Sequence, residues 1–372
     1  MAQHYLRSSM YRDLSIDSIY AMPDADIQLL FARLRWGSTT HQACPNCGSW
    51  DEHYRRPARH QWRCRACGRD FSVTSATVFS HRKKSLRSIL LAVFYFVTGV
   101  KGIAGLGMSR LGSYSSKAAH ATLGKLREGI LRTQDLSPLT GIVEIDGGYF
   151  GGKPRKPNRR GRRNTALIAD RIAGRGKRSK AWTASGITRS NWEKRKNRRV
   201  VMILRQQGAP GQGAVRSIAA VTYSENDKDA AELISRYVSP AAIIMTDESP
   251  AYAAVSATHE HYAVSHSREY VSSEGVHENQ AESYFSRLRR WEYGISHGVR
   301  PIYLADYAGE MVWREDMRRC SIRQQVETLL QKSLTSGHSR WWRGYYQGKR
   351  RGAEILMNQG LERRHSSVDR AQ

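Results

Sequence analysis

From His277 to Trp291 polar and apolar residues alternate at helical period. Ala281, Tyr284, Phe285, Leu288 and Trp291 fall on one stripe, and Asn279, Glu282, Ser286 and Arg289 fall on the next. The pattern predicts a helix anchored in a core, carrying a carboxylate with guanidinium groups one and two turns further on. Other stripes predict helices upstream. Ile27, Leu30, Phe31 and Leu34 follow Asp24 as a candidate cap, within a short helical lead-in over 1–43. Leu86, Ile89, Leu90, Val93, Phe94 and Val97 form another stripe. After a glycine-rich turn, Ser115 or Ser116 can cap a helix from Lys117 to Leu131. Helix, short helix, turn, helix over 86–135 is a helix-turn-helix-like pattern. It suits DNA binding and equally describes an ordinary bundle.

Strand patterns begin at Gly141. In Gly141–Phe150, Val143 and Ile145 face one way while Glu144 and Asp146 face the other, and Gly147-Gly148 follows at once. Val200–Leu204 and Ala214–Val221 are two further strands. A helix then starts at Asn226 or Asp227. Ala241–Met245 is wholly apolar and reads as a central strand, with Asp247 immediately past its end. A short helix, a strand at His261–Val264 and the Glu282 helix come next, and a helix over Tyr303–Met317 closes the region. Three strands, helix, strand, helix, strand, helix predicts an α/β, ribonuclease-H-like domain with a mixed sheet over 141–320. In that order the first and fourth strands are neighbours, so Asp146 and Asp247 reach one point.

Composition adds a partner. The 372 residues are 40% hydrophobic, which is globular, but 60 Lys and Arg against 33 Asp and Glu leave a net charge of +27. Such an excess points to a polyanion, most simply double-stranded DNA. The opening residues have no apolar run, and Ser88–Val100, the longest uncharged apolar run, is too short to span a bilayer. A cytoplasmic, nucleoid-associated protein without membrane contact is expected, and its cysteines are expected to be ligands rather than disulfides. Cys44-Pro45-Asn46-Cys47 and Cys64-Arg65-Ala66-Cys67, each followed by glycine, have the spacing of a closed four-thiolate structural zinc site in a ribbon over 44–85. His41, His53 and His60 nearby read as surface residues, Cys320 as an inert thiol.

Between Lys153 and Arg199 there are 18 Lys or Arg residues, opposed only by Asp170 and Glu193. This basic insertion reads as a loop that contacts phosphates, with Lys153 at its start. Residues 321–372 read as a basic, aromatic tail able to stack on bases. The three acids Asp146, Asp247 and Glu282 fit in-line phosphodiester chemistry with two Mg²⁺ (or Mn²⁺) ions, which take hard oxygen ligands. Asn279 is an auxiliary candidate on the same helix face. His277 is a candidate proton shuttle or DNA contact, or else a surface histidine. Arg287, Arg289 and Arg290 are candidate phosphate contacts. Glu144, Glu248 and Glu278 are the rival acids, each less well placed.

Several segments together resemble a family. C-P-N-C-G-S, W-R-C-R-A-C-G-R-D-F-S-V-T-S-A-T-V-F, I-V-E-I-D-G-G-Y-F-G-G-K, I-M-T-D-E-S-P-A-Y, H-E-N-Q-A-E-S-Y-F-S-R-L-R-R-W-E-Y-G-I-S-H and L-A-D-Y-A-G-E-M-V-W-R occur in order across roughly residues 25–320. The chain resembles the zinc-ribbon DDE transposases of bacterial insertion sequences, group fifteen-ninety-five. The resemblance implies a ribonuclease-H-like catalytic domain using Mg²⁺, with Asp146, Asp247 and Glu282 as its acids. It implies cutting at terminal inverted repeats and joining of 3′-hydroxyls to target DNA. Two ends must meet, so a homodimer or larger assembly is expected on DNA. Alternatives are a DNA-binding regulator with an inactive core and a nuclease that does not join. The basic insertion is expanded relative to the family, and the third acidic position is Asn in some relatives, which keeps Asn279 beside Glu282.

Overall fold

The computed structural model describes residues 5–151, 197–209, 212–264 and 279–357. The lead-in forms α1 (Ile16–Ala21), capped by the Ser15 hydroxyl, and α2 (Asp24–Trp36), which ends at Gly37 with φ +71°. Asp24, expected as the cap, is instead the first helical residue, and its carboxylate pairs with Arg87 at 2.7 Å.

Five short strands make the ribbon: β1 (Gln42–Ala43), β2 (Trp50–Asp51), β3 (Tyr54–Arg56), β4 (Gln61–Arg63) and β5 (Asp70–Phe71). β1 pairs with β2, and β3-β4-β5 form an antiparallel sheet. Trp62 lies opposite Phe71 across that sheet with ring centroids 6.0 Å apart, and Trp36 of α2 stands edge-on to both. The ribbon is therefore closed by an aromatic contact with the lead-in helix. Helices α3 (Leu86–Thr98), α4 (Gly105–Leu111) and α5 (Ser116–Arg132) follow, and Ser115 caps α5 by accepting from Ala118 N–H. Ribbon and helices share one apolar core.

The second half is a five-stranded sheet. Its strands are β6 (Ile142–Gly151), β7 (Arg198–Gln207), β8 (Ala214–Thr222), β9 (Ile243–Asp247) and β10 (Glu260–Val264), in the order β10-β9-β6-β7-β8. β6, β7 and β8 are antiparallel, while β9 runs parallel to both β6 and β10. The first and fourth strands of this domain are neighbours, as the element order predicted. α6 (Asp227–Tyr237), capped by Asn226, covers one face with Ala230, Leu233 and Ile234 on Val143, Ile145, Met202 and Leu204. On the other face lie α7 (Asn279–Trp291) and α8 (Leu304–Asp316), packed on Phe150, Val201 and Ile203. β7 runs past its apolar stretch because Arg205, fully buried, pairs with Glu315 of α8 at 3.3 Å.

One segment departs from expectation. Within the expected tail, α9 (Ile322–Thr335) opens with a Ser321–Gln324 capping box and buries Val326, Leu329, Leu330 and Leu334 in the N-terminal core. Beyond it, Trp342 covers Gly124 of α5 so closely that a Cβ there would meet the indole at 2.0 Å. Arg351 is paired with Asp306 at 2.7 Å. The periodic apolar stripe outweighs the basic and aromatic composition that suggested a tail.

Candidate metal centre and active site

The four cysteines sit on two matching turns. Gly48 N–H donates to the Cys44 carbonyl at 2.9 Å and Gly68 N–H to the Cys64 carbonyl at 3.0 Å. Both glycines are left-handed, at φ +76° and +69°, which is why glycine follows each pair. All four sulfurs lie within 4.8 Å of one another, with Cys44–Cys67 at 3.8 Å and Cys47–Cys64 at 3.6 Å. A tetrahedron of Zn–S bonds of about 2.3 Å has edges of about 3.8 Å, so the sulfurs stand where zinc needs them. A hydrogen bond from the Arg69 backbone helps bring Cys67 down to about 6, toward the thiolate. His53, expected at the surface, is buried edge-on against Phe71 and accepts from Arg65 N–H at 3.4 Å. It braces the second knuckle from behind.

The aspartates are brought together by the sheet. β6 and β9 pair as Val143↔Ile244 and Glu144↔Met245. Two residues on in that register, Asp146 comes level with Asp247, the last residue of β9. Asp146 itself is midway along β6, because Gly147 and Gly148 stay paired with β7 and do not end the strand. The Asp146 Oδ1 accepts from Gly147 N–H at 2.6 Å. Burial pushes its carboxyl up to about 7, and repulsion from Asp247 and Glu225 adds to the rise, against the Gly147 N–H and Arg289. Asp247 is the last residue of β9, its Oδ1 accepting from Ser249 N–H at 3.0 Å, while Glu248 is exposed.

A fourth acid joins them. Glu225, in the turn between β8 and α6, accepts from the Tyr252 hydroxyl at 3.1 Å. Its carboxyl is raised by burial and by Asp247. A Cβ on Gly147 would meet this carboxylate at 2.6 Å, so the first glycine after Asp146 makes room for Glu225. Glu282 is exposed in the first turn of α7, on the helix that covers the Asp146 face of β6. Among the described residues no three carboxylates lie within 4.8 Å of one another; only the cysteines do.

The ISXO2-like transposase domain matches residues 138–316, and the transposase zinc-ribbon domain matches residues 22–70. The chain belongs to the ISXO2-like, zinc-ribbon transposases. No curated protein and no solved structure matches it. The transposase domain encloses Asp146, Glu225, Asp247 and Glu282, and the ribbon domain takes in α2, in keeping with the Trp36 contact.

Glu144, the rival to Asp146, has a different task in this transposase. It is fully buried and accepts from Gln207 at 2.7 Å and from the backbone N–H groups of Gln280 and Ala281 at 2.9 and 3.1 Å. A carboxylate from the sheet thus satisfies the first turn of α7 and fixes where Glu282 starts. The predicted apolar stripe of α7 is buried at every position from Ala281 to Trp291.

Of the predicted phosphate contacts, Arg287 is ion-paired with Glu315, which also holds Arg205 and Arg318. Arg289 lies over Phe150 and Phe285 and beside Asp146, and Arg290 is exposed. Asn279 begins α7. His277 and Lys153 lie outside the described residues, as does nearly all of the basic insertion. Glu225 was missed in the sequence. The signal was there in S-E-N-D, an acid just past a strand end, the same pattern that singled out Asp247.

Proposed function

We propose that this transposase hydrolyses phosphodiesters at the ends of an insertion sequence and joins the freed 3′-hydroxyls to target DNA. The observation that carries this reading is the level placement of Asp146 and Asp247 on adjacent parallel strands, half-buried, with the Asp146 carboxyl pushed up to about 7 by burial and by neighbouring acids. Half-buried carboxylates level on adjacent strands fit a hard divalent cation, whose charge offsets their burial and mutual repulsion. Asp146 and Asp247 would hold Mg²⁺ or Mn²⁺, with Glu282 as third acid by family resemblance and Glu225 by its electrostatic contact. Bound there, the ions would supply Lewis-acid stabilisation of the in-line displacement. The protein's own part is to align the donors through the β6–β9 register and to set Arg289 beside them for a phosphate.

The sheet order supports a ribonuclease-H-like reading of the catalytic domain, since that reading required β6 and β9 to be neighbours. We read the ribbon and the α3–α5 module as holding the terminal inverted repeats, with Arg110 and Lys117 exposed around the α4–α5 turn. The basic insertion from Lys153 adds contacts to the DNA backbone. Two element ends require at least two protomers, in the cytoplasm where the DNA lies. Among the described residues no helix is long and apolar enough to cross a membrane.

The test is a strand-transfer assay with labelled element ends, target DNA and Mg²⁺. Joined product from the wild type and none from Asp247→Ala is expected. Product that survives Asp247→Ala overturns the catalytic assignment, and cut ends that never join reduce the protein to a nuclease.

A further inference from the structure

A cavity of about 630 Å³ lies away from the acids, where α4 and α5 meet the end of α7, the start of α8 and the segment after α9. Its size is that of a small-molecule or nucleotide site. Its wall is cationic and aromatic and contains no acid: Lys117, Arg300 and Arg350 stand exposed, and Tyr303, Tyr307 and Tyr345 stand half-buried. The other two arginines of the wall, Arg127 and Arg351, are already paired with Glu310 and Asp306. No ion pair is made by Lys117, Arg300 or Arg350 among the described residues. His120, between the rings of Trp342 and Tyr345, is held at about 4 by burial and by Arg127, Arg350 and Arg300, so it is neutral at pH 7.

Behind the wall, the Trp291 indole N–H lies against Gly102 without a hydrogen-bond partner, and the Arg351 Nε is likewise buried and unpartnered. The guest is called for by the exposed cations: an acid-free wall carrying Lys117, Arg300 and Arg350 takes an acceptor-rich, anionic group.

We propose that this cavity takes one nucleotide of a DNA strand, displaced from its duplex, with its phosphate among Lys117, Arg300 and Arg350 and its base against the tyrosine rings. Stacking on aromatic rings beside cations is how single-stranded nucleic acid is held without regard to sequence. α7 links the cavity to the acids. Trp291 lies nine residues past Glu282, about 13.5 Å along the helix at 1.5 Å per residue. A stacked strand advances about 3.4 Å per nucleotide and a displaced one further, so a strand engaged at the acids spans that length in at most about four nucleotides. The inference rests on the transposase reading for the identity of the strand, while the cavity's chemistry stands apart from the acids.

The experiment measures binding of single-stranded dT₄ to the full chain by quenching of tryptophan fluorescence, with an abasic tetranucleotide and a blunt 20-base-pair duplex as comparisons. Wild type is expected to bind dT₄ at least about tenfold more tightly than the abasic strand. Arg300→Gln with Arg350→Gln, and separately Tyr345→Ala, should each weaken dT₄ about tenfold while leaving duplex affinity within about threefold. These side chains are exposed or half-buried, and an unchanged melting temperature verifies the fold. Equal binding of dT₄ and the abasic strand, or variants that bind dT₄ as wild type does, overturns the proposal. Asp247→Ala separates the two readings: it should bind dT₄ normally and join nothing. Should it still join ends, the catalytic reading falls and the cavity stands.

Discussion

The zinc ribbon and the carboxylate site solve opposite problems with like charges. Four thiolates come together through two turns that each span four residues, and 16 residues separate the pairs. Their sulfur spacing already matches one ion, and no ligand position is left open. The carboxylates come from three separate elements, 101 residues apart between Asp146 and Asp247 and aligned only by sheet register. Among the described residues no three of them come within 4.8 Å of one another, and burial, with repulsion from Asp247 and Glu225, raises the Asp146 carboxyl to about 7. The ribbon site is assembled locally and closed; the site we propose as reactive is assembled by topology.

The largest effect that sharpens this contrast is loss of zinc. Cys64→Ser should release one zinc per chain, measured by elemental analysis. Zinc-binding free energies of about 10–16 kcal/mol are folding free energy for small domains. Cys44 and Cys64 share a core with Phe31, Leu90 and Leu126, so the loss should spread to α2 and α3. A chemical-denaturation midpoint close to wild type, with zinc retained, would break the claim that the ribbon is closed by its metal.

Next in size is the identity of the third acid. Asp146 and Asp247 are common to both readings, so the comparison is Glu225→Gln against Glu282→Gln. The variant that loses the metal-supporting acid should drop strand transfer by roughly a thousandfold, and the other by less than about tenfold. Glu225 is held by Tyr252, so Tyr252→Phe should produce a smaller fall in the same direction if Glu225 is that acid. Equal, small losses in both glutamine variants would leave the site with two acids.

These two regions also differ in how much of them could be read beforehand. The cysteine pairs and their glycines are local patterns, and the fold keeps each one. The strand order and the facing of Glu144 and Asp146 were legible because periodicity fixes a face and element order fixes neighbours. S-E-N-D marked Glu225 only as an acid past a strand end; its approach to Asp146 was hidden, because it depends on a glycine of β6, two strands across the sheet, and on a tyrosine 27 residues later. The burial of α9 was hidden for another reason: composition around it suggested a tail, while its partners α2, α3 and α5 lie some 200 to 300 residues upstream.

A smaller effect tests the frame that holds α7 over the site. Glu144 accepts two backbone N–H groups of α7 and one Gln207 amide, and hydrogen bonds to a charged group are worth about 1.5–3 kcal/mol. Glu144→Ala should therefore destabilise by about 2–3 kcal/mol in urea and should leave zinc content at one per chain. A variant that keeps full stability would show that α7 is placed by its apolar stripe alone.

The smallest effect is the most direct probe of strain at the carboxylates. The folded Asp146 carboxyl titrates at about 7, above its unfolded value of about 3.9. Between those values the native state binds more protons than the unfolded chain, so this group's contribution falls as pH rises from about 4 to about 7 and is lost above that. Asp146→Asn removes the charge and with it the penalty. The variant should melt higher than wild type at pH 8, by roughly 1–2 kcal/mol once solvent contact is allowed for, and close to wild type near pH 4. Asp316 is raised to about 7 by burial too and stays in both proteins, so each keeps some pH slope and only the difference reports on Asp146. At pH 8 Mg²⁺ should raise the wild-type melting temperature and raise that of Asp146→Asn much less, because a cation that binds only the native state stabilises by mass action. If Asp146→Asn melts lower than wild type at pH 8, the charged carboxylate carries no penalty in its buried place, and the contrast with the ribbon fails at its centre.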